Sequence, residues 1–172
     1  MKDLYLERDM NPHVAILYAT VSDTFKRLRD LVEGVGKEEL YYKGPSNDEN
    51  SIGQLLQHLA VVDLHWVYRL KGVQAPLVLQ EKYGPMLDEK GELPNITKGS
   101  LQELMHDYQD VHNMFYNECI KLIETDLTRE VYYEKAETAT IRWGIWHIAD
   151  HSRYHQAHIS RLRKLYRQEI NI

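Results

Sequence analysis

Residues 141–166 read IRWGIWHIADHSRYHQAHISRLRKLY, and the periodicity of this stretch decides the fold. Each helical residue advances about 100° around the axis, so the apolar positions mark out the arc that a helix would bury. With His151 at zero, Ile141, Ile148, Ile159, Leu162 and Tyr166 fall between about 20° and 80°. His155 falls at about 40°, inside that arc, whereas His147 and His158 fall at about −40° and −20°, on its edge. His147 and His155 are also about 12 Å apart along the axis, too far to share one ion. With nine histidines in 172 residues, chance pairs at helical spacing are expected, and phase is what separates them. The pair His151 and His155, about 6 Å apart on one face, is the deepest compatible one.

Three further segments carry the same period. Asn11-Pro12 opens the first with a cap and a proline at the first helical position, and Val14, Leu17, Val21, Phe25, Leu28 and Val32 form its stripe before Gly34 and Gly36. The second begins near Asn50-Ser51 and stops at Gly72, with Leu55, Leu59, Val62, Trp66 and Leu70 aligned and Ile52 beside them. The third runs from about Ser100, with Glu103 placed for a capping box, to about Glu124. The fourth extends from about Thr138 to Gln168. His58 sits at the margin of the second stripe, where side chains enter the groove between packed helices. A third imidazole there completes one face of a coordination shell and leaves positions open, as catalytic metal sites do. His65 shares nearly the same angle about 10 Å further along, and its reference pKa suits a proton shuttle near neutrality. Asp63 and Asp150 are carboxylates placed to orient a ligand from behind.

The pattern predicts an all-α four-helix bundle in one domain spanning residues 1–172. Residues 73–99 hold Pro76, Gly84, Pro85, Gly91 and Pro94, which reads as a long connection between the second and third helices. Val131-Tyr132-Tyr133 favours a short extended piece. The single Cys119 excludes an internal disulfide and fits a reducing compartment. No signal peptide and no membrane-length apolar run is evident, so a cytoplasmic protein is expected. A net charge of −5 argues against nucleic acid as a partner. The basic cluster of Arg161, Arg163, Lys164 and Arg167 complements the dipole at the end of the last helix.

Ser51-Ile52-Gly53-Gln54-Leu55-Leu56-Gln57-His58-Leu59-Ala60 resembles the helix-two signature of the DinB/YfiT-like superfamily. Thr140-Ile141-Arg142-Trp143 and Trp146-His147-Ile148-Ala149-Asp150-His151-Ser152-Arg153-Tyr154-His155-Gln156-Ala157-His158 resemble its last-helix signature. The resemblance covers nearly the whole chain. It implies an up-down-down-up four-helix bundle, usually a homodimer, in which three histidines matching His58, His151 and His155 hold a divalent ion such as zinc, nickel or iron. Characterised relatives include transferases and isomerases that use a low-molecular-weight thiol, and others are DNA-damage-inducible. The family often has His-Arg-Gly-Gln where this chain has His155-Gln156-Ala157-His158, so an arginine suited to an anionic ligand is missing.

The resulting expectation is a metal-dependent enzyme that activates a thiol or water for transfer or hydrolysis on a small-molecule substrate. The rival is a non-catalytic bundle that binds a metal or small molecule as a stress-response sensor or interaction module. A di-iron bundle needs two Glu-x-x-His motifs, and only Glu103 with His106 fits. Neither a phosphate-binding glycine loop nor a serine-hydrolase elbow is present. Trp143 and Trp146, at or beyond the edge of the apolar arc, are candidates for a homodimer contact.

Overall fold

The structure is a computed structural model that describes residues 1–96, 99–134 and 137–170. Four long helices build the bundle: α1 (Pro12–Val32), α3 (Ile52–Lys71), α5 (Leu101–Cys119) and α6 (Ile141–Ile170). Two short helices, α2 (Lys37–Tyr41) and α4 (Leu77–Tyr83), lie in the connections, and strands β1 (Glu130–Tyr132) and β2 (Thr138–Thr140) pair antiparallel.

The helix starts follow from their caps. Asn11 Oδ1 accepts the His13 N–H at 3.0 Å ahead of Pro12, meeting one of the donors that every helix start leaves orphaned. At α3 a reciprocal capping box forms: Ser51 Oγ accepts the Gln54 N–H at 3.2 Å, and Gln54 Oε1 accepts the Ser51 N–H at 3.0 Å. Gly72 closes α3 in the left-handed region at φ 72°. At α5 half of the expected box appears. Ser100 Oγ accepts the Glu103 N–H, but the Glu103 carboxylate takes the Ser100 hydroxyl and not its N–H.

Contacts between helices fix their directions. Asp63 meets Tyr108 and, further on, Lys71 meets Glu118, so α3 and α5 run parallel. The Thr24 carbonyl accepts from Gln156 Nε2 and the Leu31 carbonyl from Arg163, so α1 and α6 are parallel too. Tyr18 packs on Phe115 and Phe25 on Tyr108, which makes α1 antiparallel to α5. His58 faces His151 and His155 while Trp66 faces Trp143, which makes α3 antiparallel to α6. The topology is therefore up-down-down-up, and the parallel step from α3 to α5 demands the long crossover.

Two helix boundaries and one connection differ from the sequence reading. α5 stops at Cys119, followed by a 3-10 turn at Glu124–Thr128, where Asp126 accepts the Ile123 N–H. α6 starts at Ile141, since Thr138–Thr140 pairs with Glu130–Tyr132, and Thr140 Oγ1 accepts the Trp143 N–H. α4 forms inside the punctuated connection because Pro76 and Gly84 bracket it without entering it. No described helix is long and apolar enough to cross a membrane. Trp143 and Trp146 are 36% and 46% exposed.

Most of the core is apolar, and Asp63 is among the polar and charged residues buried with it. Tyr108 Oη donates to Asp63 Oδ2 at 2.7 Å, while Asp63 Oδ1 is buried without a hydrogen-bond partner. Burial pushes the Asp63 pKa up to about 8, and the Tyr108 hydrogen bond only partly opposes it. Asp63 therefore holds its proton in the folded state up to about pH 8, whereas the unfolded chain releases it near pH 4. Its contribution to stability is complete below the unfolded value and is lost as pH rises through about 8. Asp63→Asn is expected to remove this loss. Thermal melts of both proteins at about pH 5, 7 and 9 should show the variant gaining relative to wild type as pH rises. Parallel curves would mean that Asp63 is already ionised in the fold.

Candidate metal centre

The geometry that places His58 beside His151 and His155 begins with the two helices that carry them. Gly53 lets the crossover approach: a Cβ there would lie 2.7 Å from the Ile96 Cδ1. Gln54 Nε2 then donates to the Leu93 carbonyl at 2.8 Å, and Gln57 Nε2 to the Tyr83 carbonyl at 3.4 Å. These tethers hold the crossover against α3 on the side where His58 projects toward α6.

His58 Nε2 lies 3.3 Å from His151 Nε2, which lies 3.1 Å from His155 Nε2. All three ligand atoms fall within 4.8 Å of one another. A ring nitrogen has a single in-plane site, either a proton or a lone pair, so His151 Nε2 can satisfy one of its two neighbours and not both. A cation at the common point satisfies all three. Two nitrogens each about 2.05 Å from an ion sit about 2.9 to 3.4 Å apart at octahedral to tetrahedral angles, which matches these separations. Burial, followed by the charges of its neighbours His155, His58 and His147, pushes the His151 pKa down to about 3. Burial chiefly lowers His155 to about 4, and burial also lowers His58, against a smaller opposite effect from the Met86 backbone. All three are thus neutral lone-pair donors at pH 7. Nδ1 of His151 and of His155 is buried without a hydrogen-bond partner, leaving Nε2 as the end that faces the common point.

The triad opens into a cavity of about 760 Å3 to which His58 and His155 both contribute. One wall comes from residues 43–50, between α2 and α3, and the other from residues 87–95 of the crossover. The remaining sequence candidates lie elsewhere. His147 stacks on Trp143 at 4.6 Å and its Nε2 meets Tyr133 Oη at 3.4 Å, while His158 packs on Tyr154. His65 is half-buried near Arg69, and burial and then the Arg69 charge lower its pKa. Among the described residues it makes no hydrogen bond to the triad. Asp150 is exposed, and Asp63 is engaged with Tyr108.

Sequence reasoning missed the wall at residues 43–50. Its signal was Gly44-Pro45-Ser46-Asn47-Asp48, a run of turn-forming residues, and Gly44 and Asn47 indeed take positive φ.

The family model of the DinB superfamily matches residues 20–159. The chain belongs to the DinB superfamily. The matched span runs from within α1 to within α6 and includes all three converging histidines. YkkA of Bacillus subtilis (strain 168) is similar to this DinB protein, with 44% identity over 171 residues, 99% of this chain and 97% of YkkA. Among solved structures, YfiT of Bacillus subtilis is described as a probable metal-dependent hydrolase with an unusual four-helix bundle topology. It shares the fold at a TM-score of 0.66 and 14% identity, covering 95% of this DinB chain and 94% of YfiT.

Proposed function

We propose that this DinB-superfamily protein is a metal-dependent enzyme in which His58, His151 and His155 hold one divalent cation and the cavity above them receives a small-molecule substrate. The observation that carries this reading is the approach of three imidazole nitrogens, at 3.1 and 3.3 Å, that cannot satisfy one another by hydrogen bonds. The description of YfiT as a probable metal-dependent hydrolase supports the same reading. A divalent cation there supplies Lewis acidity, which brings the pKa of water or of a thiol down toward neutrality.

The chain's own residues do the rest. Three protein ligands leave coordination positions open for water, thiol or substrate. Gln54 and Gln57 tether the crossover that forms one wall of the cavity beside the triad. The depressed histidine pKa values keep the ligands unprotonated down to mildly acidic pH, so metal occupancy should persist there. The reading does not require His65.

Protein purified without an affinity tag and dialysed against metal-free buffer is expected to retain about one divalent ion per chain, because a site of three neutral imidazoles binds such ions strongly. Elemental analysis checks this, and His65→Gln should retain the same amount. A wild-type content near zero, with no uptake of added zinc, would remove the metal reading.

A further inference from the structure

The walls above the triad carry a charge bias that holding an ion does not require. Among the described residues, Asp48, Glu49, Asp88 and Glu92 line the cavity with one lysine, Lys43, beside them. Arg161 is bonded to Glu49 and offsets one of the four carboxylates. Asp88 is kept ionised, because its carboxylate accepts the Glu92 N–H at 3.0 Å and the Lys90 N–H at 2.8 Å, which lowers its pKa. The same two bonds fix where its charge points in the crossover.

A cleft lined by one sign of charge focuses the field and raises the local concentration of the opposite sign. We propose that this cavity selects small molecules bearing a protonated amine or guanidinium and excludes those bearing a carboxylate or phosphate. The inference rests on the proposed function, which puts the reacting end of the substrate over His58, His151 and His155 and leaves the cationic end among Asp48, Asp88 and Glu92. An ion on the triad does not cancel the bias. Its charge sits at the half-buried floor, whereas those three carboxylates stand at the exposed rim, where an approaching ligand meets them first. Rim charges are screened within about 8 to 10 Å at physiological salt, so the selection weakens as salt rises.

The test uses three thiols that differ chiefly in the charge of the far end: cysteamine, 2-mercaptoethanol and 3-mercaptopropionate. Their binding to zinc-loaded protein is followed through the ring resonances of His58 and His155, and the series is repeated on zinc-free protein. Cysteamine is expected to bind tightest, and 3-mercaptopropionate weakest by about tenfold or more at low salt. In Asp48→Asn/Glu92→Gln the spread should shrink several-fold, with zinc content per chain unchanged. Equal affinities, a reversed order, or no binding by any of the three in either form overturns the proposal. Failure of the metal reading shows separately, as zinc content near zero. The charge order is then read from the zinc-free series alone.

Discussion

His155→Ala is expected to lose the ion, falling from about one per chain to less than about a tenth after dialysis, while keeping its helical circular dichroism. His155 supplies one of three converging Nε2 atoms, and the two that remain, on different helices, hold a divalent ion only loosely. Turnover should disappear with it. The fold should stay, because the apolar stripes of α1, α3, α5 and α6 are buried whether or not an ion is present. Wild type saturated with zinc will melt higher than the variant, by mass action of a ligand that binds only the native state. The informative comparison is therefore zinc-free wild type against zinc-free His155→Ala. Their melting temperatures should agree within a few degrees, since a single half-buried side chain is truncated. A zinc-free variant that is largely unfolded at about 25 °C would show that the triad serves folding and not chemistry.

The second large effect is expected further along the same helix pair, where Gly144 of α6 faces Trp66 of α3. Trp66 is fully buried, and a Cβ added to Gly144 would lie 2.2 Å from its ring. No side chain larger than hydrogen fits without parting the two helices or expelling the indole. Gly144→Ala should cost about 1 to 3 kcal/mol, as overpacked cores do. Each kcal/mol lowers the melting temperature by about 2 to 4 °C in a chain of this size. The cause can be isolated with Trp66→Leu. That change destabilises by leaving a cavity, but Gly144→Ala added to it should cost much less than in wild type, because the clash is gone. Strict additivity of the two changes would show that the indole is not what Gly144 accommodates. The same helix pair carries the triad, so Gly144→Ala should also weaken metal retention.

The helical stripes, and the place of each triad histidine on its own helix, were legible because they depend on the period of a single helix. His151 and His155 lie one turn apart inside an apolar arc that Ile141, Ile148 and Ile159 define without them. His58 could be placed at the margin of its own stripe in the same way. What resisted reading was whatever depends on how separate segments meet. The hairpin of Glu130–Tyr132 and Thr138–Thr140 has strands of three residues, too short to show alternation, and it took the place of the first turn assigned to the last helix. Gly144 carries no signal until Trp66 is seen against it. The cavity walls at 43–50 and 87–95 announce themselves only as turn-forming sequence, and their docking over α3 is set by Gln54, Gln57 and the space above Gly53.

His58, the triad histidine of α3, precedes His151, the first triad histidine of α6, by 93 residues. A ribosome adding about 5 to 20 residues per second needs about 5 to 20 s to cover that interval. Throughout it the nascent chain has one of three ligands and no coordination face to offer. Metal acquisition is therefore a late event in the life of each molecule, arriving only after the last helix has been made and has packed. A chain cut short before His151 carries only one of the three converging ligands, so the proposed site cannot form in it.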